Sequence, residues 1–241
     1  MTEVWPAAVE AAEMIESGMV VGLGTGRAAS MFVRALAERM KTGLEIRGVP
    51  TSKRTEDLAR ELLIPLVPLG EINGIDIDVD GADEVSPGLD LIKGHGGALV
   101  RERVVASFSS RFVIIVGREK LVSELGTRVA VPVEVVPFGV PVARRELETI
   151  GRTVSLRGKG DKPYRTDNGN AILEVTFDSI VAPAELENRI DRVPGVVDNG
   201  LFIGMADLVL VQTDSGVERL ERENLEEKRK GAKAQRRKAD L

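Results

Sequence analysis

Between Asp80 and Glu102 the sequence gathers residues that could do proton chemistry: Asp80 and Asp83 in DGADE, then Lys93, the glycines Gly94, Gly96 and Gly97, and Glu102. A carboxylate beside a carbonyl compound can take a carbon-bound proton, and a fixed ammonium group with glycine amides can steady the oxyanion that results. A sugar phosphate deprotonated next to its carbonyl is the kind of substrate that would suit such a set. The local pattern gives these residues defined places. Ile75, Ile77 and Val79 alternate with Asp76, Asp78 and Asp80, which predicts a strand over 75–79 with one apolar face. Gly81 breaks it and leaves Asp80 and Asp83 at its carboxyl end, where open α/β sheets bind ligands. A turn with Pro87 and Gly88 leads to Lys93, and the glycines allow close backbone approach. A helix is predicted from near Ala98, with Glu102 in its first turns.

Each of these residues also has a plainer use. Aspartates cap turns at strand ends, a lone lysine is usually solvated, and glutamate suits the first turn of any helix. Composition narrows the chemistry further. The 241 residues include no cysteine and one histidine, His95, so thiolate chemistry, disulfides and Cys- or His-rich metal sites are excluded. The formal charge is −5, with no long apolar run and no signal-like start, so neither membrane insertion nor secretion is expected and a cytoplasmic protein is the default.

Helical and strand patterns alternate along the first half. A helix over Ala7–Glu16 leads to a strand over Met19–Leu23, and a helix over Ala28–Met40 to a strand over Leu44–Val49. Thr51 and Ser52 then cap a helix with its body at Glu56–Leu63, Leu66 and Val67 form a short strand, and the apolar run Phe112–Val116 is a strand after the helix from Ala98. Such alternation implies a Rossmann-like parallel sheet with helices on both faces. From Val133 the order becomes βαββαβ: Val133–Val136, Pro141–Ile150, Thr153–Leu156, Ala171–Phe177, Pro183–Asp191 and Val196–Ile203, the order of a smaller ferredoxin-like α+β domain. Asn168 and Gly169 are expected to supply the positive-φ positions of its middle hairpin. The expected division is a catalytic domain over 1–130 and 205–217, the smaller domain over 131–204, and a charged tail over 218–241.

Gly24, Gly26 and Ala29 fit the dinucleotide fingerprint, but the second strand ends in Val49 and Pro50 with no acidic residue to hold a ribose. A glycine turn whose amides and helix dipole hold a phosphate or hydroxyl is the better reading.

These motifs together resemble the A-type ribose-5-phosphate isomerase family. Asp80–Glu84 stands for its DGADE strand end, Lys93–Ala98 for its KGGGA-like run, and Arg101 with Glu102 for the RE pair opening a helix. VGLGTG at 21–26, PVEVVPF at 132–138, TDNGN at 166–170 and PGVVDNGLF at 194–202 extend the likeness over roughly residues 15–212. The resemblance implies a cofactor-independent aldose–ketose isomerase acting on a small sugar phosphate, interconverting ribose 5-phosphate and ribulose 5-phosphate in the non-oxidative branch of the pentose phosphate pathway. Glu102 would then shuttle the proton through an enediolate, Lys93 would stabilise its oxygen, and Asp80 would open the ring while Asp83 holds hydroxyls, although the sequence does not separate these two. Substrate contacts would come from Thr25, Gly26, Arg27, Ala28, Gly81, Ala82, Gly94, His95, Gly96 and Lys120, with Thr51, Ser52 and Lys53 as secondary ones. The family also implies a homodimer or homotetramer, with the smaller domain offering a surface for self-association, and it calls for no metal and no nucleic acid.

Three departures stand out. The family's GTGST turn here reads GTG followed by Arg27 and Ala28, so two hydroxyls that bind phosphate are missing, and no lysine precedes Lys41. Arg27 could replace them as a charged clamp or could face solvent. His95 replaces a family glycine and is read as a tolerated exposed side chain. The alternatives are an isomerase acting on a related sugar phosphate, a sugar-phosphate deaminase or lactonase, which would want a catalytic histidine, and a non-catalytic sugar-phosphate sensor of the same fold. The tail holds nine Lys/Arg and six Asp/Glu and reads as a solvated helix or disordered extension.

Overall fold

The structure, a computed structural model, describes residues 5–159 and 162–222. A six-stranded sheet organises the large part of the chain. Its strands are β1 (Val20–Leu23), β2 (Arg47–Pro50), β3 (Ile77–Asp80), β6 (Phe112–Gly117), β14 (Leu208–Thr213) and β15 (Gly216–Glu221), in the order β15-β14-β6-β3-β1-β2. All neighbours are parallel except β14 with β15. The direction of winding reverses between β1 and β3, so the loops leaving their carboxyl ends splay apart and open a crevice. Helices α1 (Pro6–Glu13) and α2 (Arg27–Met40) cover one face, where Phe32, Val33 and Leu36 meet Ile77, Val79, Val113 and Ile115. On the other face Ile114 and Val116 pack with Val209, Val211 and Phe202. This two-sided cover explains why β6 reads FVIIVG as one apolar run: all six of its residues are buried.

The remaining helices of this part are α3 (Lys53–Glu61) and α4 (Leu99–Ser107). Between β3 and α4 the chain makes two short strands, β4 (Glu84–Val85) and β5 (Leu91–Ile92), which sequence periodicity does not show because they are only two residues each. Glu84, the last acid of DGADE, is fully buried and accepts the backbone N–H groups of Gly126, Arg128 and Val129 at 2.6, 2.7 and 3.0 Å, fixing the following loop rather than facing a ligand.

The chain between β6 and β14 forms a second sheet. Its strands β7 (Val131–Val135), β8 (Thr153–Leu156), β11 (Ala171–Thr176) and β12 (Val196–Asn199) lie in the order β12-β7-β11-β8, all antiparallel, with α5 (Val140–Glu148) and α6 (Pro183–Asp191) completing βαββαβ. Val131, Val133, Leu147, Leu173 and Ile190 form its core. This is the ferredoxin-like arrangement the element order predicts.

Several boundaries differ from expectation for physical reasons. Strand β3 begins at Ile77, because Ile75 makes only an isolated bridge to Ser109. Leu66 likewise makes one bridge, to Gly48. The expected strand over Val196–Ile203 is broken at Gly200: β12 belongs to the second sheet, whereas β13 (Leu201–Phe202) pairs with β5. The Gly200 amide donates to Pro132 O and its carbonyl accepts the Lys93 amide, both at 2.8 Å, and a Cβ there would overlap the Lys93 carbonyl, so only glycine lets the chain change sheets at this point. The loop joining β8 and β11 is longer than a two-residue hairpin, because β9 (Gly158–Lys159) and β10 (Lys162–Pro163) extend it as a ribbon. Gly169 has φ +83° in a turn that ends before β11, and Asn168 does not have positive φ. Residues 218–221, assigned to the tail from sequence, form the end of β15 and Arg222 follows it; positions 223–241 of the predicted tail lie outside the described residues. Among the described residues no helix is long and apolar enough to cross a membrane.

Candidate active site

A cleft of about 330 Å³ opens at the carboxyl ends of β1, β3 and β6. That is within the usual size of small-molecule sites. Its floor is built from β3. Because side chains alternate along a strand, Asp78 and Asp80 point to the face opposite Ile77 and Val79, and both are wholly buried. Asp80 Oδ1 accepts the N–H groups of Thr25 at 3.0 Å and Gly81 at 2.7 Å, and Oδ2 lies 3.1 Å from Lys93 Nζ. Gly24 is needed beside it, since a Cβ there would overlap the Asp80 carboxylate. The glycine of the GTG turn therefore makes room for an aspartate.

Lys93 follows β5 and reaches under the cleft. Its Nζ also donates to Gly81 O and lies 3.5 Å from Glu102 Oε2, with the side chains of Lys93 and Glu102 only 2 % and 3 % exposed. Glu102 sits in the first turn of α4. One lysine thus stands between two buried carboxylates. Burial alone would depress the Lys93 ammonium, but Asp80 and Glu102 outweigh it and raise its pKa, so it stays charged. Burial raises Asp80 too, offset in part by Lys93 and the two amides. Glu102 is pushed up to about 8 by burial, against the pull of Lys93 and with a further push from Asp80 and Asp83.

Asp83 differs from Asp80. It is part-exposed, lines the cleft, and its Oδ2 accepts the His95 amide at 3.0 Å. Of the residues expected at the site, Thr25, Gly26, Arg27, Ala28, Gly81, Ala82, Asp83, Lys93, Gly94, Gly96, Glu102 and Lys120 line this one cleft. Asp80 does not line it but underlies it. The His95 side chain is also away from the cleft: its ring Nε2 is 3.2 Å from Ala130 O, and its amide is taken by Asp83. The Thr25 hydroxyl is engaged as well, with Thr51 Oγ1 at 2.7 Å and Ser52 Oγ at 2.8 Å. Thr51 and Ser52 are buried and so act on the turn from behind, while Ser52 caps α3 through the Thr55 amide. Lys53 is tied through its amide to Asp167.

Sequence reasoning passed over three residues. Trp5 lines the cleft with the Arg27 guanidinium 5.7 Å from its ring centre, and Glu119 lies beside Lys120. Neither carries a sequence signal. Asp78 did: its position two before Asp80 puts it on the same strand face. Among the described residues its carboxylate makes no well-formed hydrogen bond, and burial, then Asp80, raise its pKa well above the usual range.

Comparison with known proteins identifies the family. The family model of ribose 5-phosphate isomerase A (phosphoriboisomerase A) matches residues 47–216. The ribose-5-phosphate isomerase A of Gloeobacter violaceus is 50% identical over 213 residues, 88% of this chain and 93% of that protein. That of Thermococcus kodakarensis is 45% identical over 219 residues, 89% and 96% of the two chains. Among solved structures, a D-ribose-5-phosphate isomerase in complex with phospho-erythronic acid superposes with a TM-score of 0.87 at 42% identity, covering 90% of this chain and 96% of that one. The enzyme of Methanocaldococcus jannaschii gives 0.85 at 42% identity with the same coverage. With a family model matching this much of the chain and relatives this similar over nearly their whole length, the chain belongs to the ribose 5-phosphate isomerase A family.

Proposed function

We propose that this protein interconverts D-ribose 5-phosphate and D-ribulose 5-phosphate, with Glu102 carrying the proton through an enediolate. The observation that carries the reading is the buried Asp80–Lys93–Glu102 line, 3.1 Å and 3.5 Å long at its two ion pairs, at the foot of the cleft. In the open-chain aldose the Glu102 carboxylate takes the proton from C2 as the C1 carbonyl becomes the enediolate oxygen. The Lys93 ammonium, kept charged by its two carboxylates, stabilises that oxygen. The O2 proton passes to O1, Glu102 returns its proton to C1, and the ketose forms at C2. A base pushed up to about 8 suits this work, because it is strong enough to attack a carbon acid and still partly ionised near neutrality.

The division of labour between the aspartates changes from the sequence-based one. Asp80 is fully buried with its oxygens taken by two amides and Lys93, so its role here is to position Lys93. Asp83, on the cleft wall, takes the hydroxyl protons and opens the furanose ring. Arg27, Ala28 and Lys120 form the phosphate end, with the amino end of α2 behind them. The relative solved with phospho-erythronic acid holds a phosphorylated sugar acid, which supports a ligand of this class.

Cytoplasmic localisation and self-association belong to the same proposal. The rim of the second sheet exposes Val136, Phe138, Val142 and Val197, with Phe138 98 % exposed, an apolar patch suited to a second copy. Light scattering at micromolar concentration tests it, and a 26.0 kDa particle would refute it. Incubation with ribose 5-phosphate, without added metal or nucleotide, should produce ketose. Binding without turnover would instead identify a sensor.

A further inference from the structure

Arg157 lies on the second sheet, between β8 and β9, and belongs to no motif of the cleft. Its backbone is fixed on both sides: the Arg157 amide donates to Ile172 O at 2.9 Å, and its carbonyl accepts the Tyr164 amide at 2.8 Å. Its guanidinium is held by Glu174, with Nε and Nη2 both 2.5 Å from Oε1, and the pair is largely shielded at 16% and 21% side-chain exposure. What remains of the fork crosses to the large domain. Nη1 donates to Gly94 O at 3.1 Å and to His95 O at 3.2 Å. From the same ribbon, the Tyr164 hydroxyl abuts the α-carbon of Gly97, where a Cβ would overlap it, and the Arg157 guanidinium lies 5.7 Å from the Tyr164 ring centre.

These contacts converge on the segment that joins the ammonium group to the base. Lys93 stands immediately before it and α4, with Glu102, begins at Leu99. Gly94 and Gly96 line the cleft. Gly94 and Gly97 have φ of +105° and +79°, and three of the four residues 94–97 are glycine, so this is the stretch of the site with the most backbone freedom to lose. Within the segment the Gly97 amide donates to Gly94 O, the same carbonyl that Arg157 grips. A charged fork on two successive carbonyls supplies the restraint that glycine does not.

We propose that Arg157 is a positioning residue for the isomerisation: by pinning the Gly94 and His95 carbonyls it fixes the glycine segment and so sets the spacing of Lys93 and Glu102 across the two carbons of the enediolate. The ferredoxin-like domain thereby takes a direct part in the chemistry. The inference rests on the proposed isomerase activity. The wild-type assay with ribose 5-phosphate is therefore read first, and its failure would count against that activity and not against Arg157 in particular.

The test compares wild type, Arg157→Ala and Arg157→Lys for kcat, KM and thermal melting, with ribose 5-phosphate as substrate and guanidinium chloride at low millimolar concentration as a rescuing cation. Loosening a catalytic spacing by about an ångström lowers turnover by about a hundredfold at most, so kcat of Arg157→Ala should fall about tenfold to a hundredfold. KM should stay within about threefold, because the phosphate end is built on other loops. Added guanidinium should restore part of kcat in Arg157→Ala and leave wild type unchanged. Arg157→Lys keeps the charge beside Glu174 but cannot grip two carbonyls as a planar fork, so it should melt as wild type does and still lose kcat. It carries the test if Arg157→Ala fails to fold. A kcat within about threefold of wild type in either folded variant overturns the proposal, as does a loss confined to KM or a loss in Arg157→Ala that guanidinium leaves untouched.

Discussion

With Glu102 as the proposed base, its burial predicts the pH dependence of turnover. An exposed glutamate is ionised throughout the neutral range, whereas here burial raises the carboxyl to about 8, with Asp80 and Asp83 adding to the shift and Lys93 opposing it. Only the ionised form can take the C2 proton. The competent fraction of free enzyme is then about one half at pH ~8, roughly one in eleven at pH ~7 and about one in a hundred at pH ~6. Initial rates across about pH 5 to pH 9.5 should show log kcat/KM rising with unit slope and levelling above about 8, a loss of about fiftyfold between pH ~8 and pH ~6. The substrate phosphate titrates near pH ~6 and would add its own, lower limb. The observed midpoint belongs to the cluster as a whole, and Asp83→Asn, by removing a like charge, should move it to lower pH. The same shift has a sign for stability: the fold favours the protonated form, so the Glu102 contribution is complete below its unfolded value of about 4.3 and is given up as pH rises through 8. Full activity at pH ~6, with an acid limb near the ordinary glutamate value, would refute the assignment of a buried Glu102 as the base.

Glu102→Gln should lose about 10² or more in kcat while still binding ribose 5-phosphate by calorimetry, and retention of turnover would move the base elsewhere. Arg27→Ala should lower kcat/KM about tenfold to a hundredfold, mostly through KM, as expected for a charge-assisted phosphate contact; Arg27→Ser with Ala28→Thr should recover much of it, and no change in Arg27→Ala would assign the phosphate to turn amides and Lys120. Asp78→Val should raise the urea midpoint, because a fully buried carboxyl without hydrogen bonds costs about 1–3 kcal/mol. A lower midpoint would show that Asp78 has a partner in solution, such as a buried water.

Element types were legible where burial imposes a single period. The alternation through Asp80 and the continuous run of β6 both reported their surroundings, one strand with a separate acidic face, buried beneath the cleft, and one covered by apolar groups on both sides. The βαββαβ order likewise carried through to the sheet order of the second domain. What sequence could not show depends on tertiary placement. Asp80 and Asp83 look alike in DGADE, yet one is paired with Lys93 beneath the cleft and the other lies on the cleft wall, and the room for the buried one comes from Gly24, in a different part of the chain. The break at Gly200 is similar: Val196–Ile203 has strand composition throughout, and only the demands of Pro132 and Lys93 on one glycine reveal that it serves two sheets. Arg157 carries no local pattern at all, because its partners at Gly94 and His95 come from a distant part of the chain.

The placement of the second sheet between β6 and β14 has a consequence for how the molecule is made. β14 pairs in parallel with β6, and β15 then closes the outer edge of β14. During synthesis β6 therefore emerges with its apolar edge uncovered and waits while the whole ferredoxin-like insertion is translated. Pairing across so long an excursion is slow, since loop closure precedes any gain in contact. A nascent chain in that interval presents an apolar strand paired with β3 on one side and open along its other edge, the kind of surface on which misassembly starts. Early folding of the insertion shortens the gap by bringing its two ends together, so the rate at which the catalytic sheet completes itself is governed by a domain that contributes none of its strands.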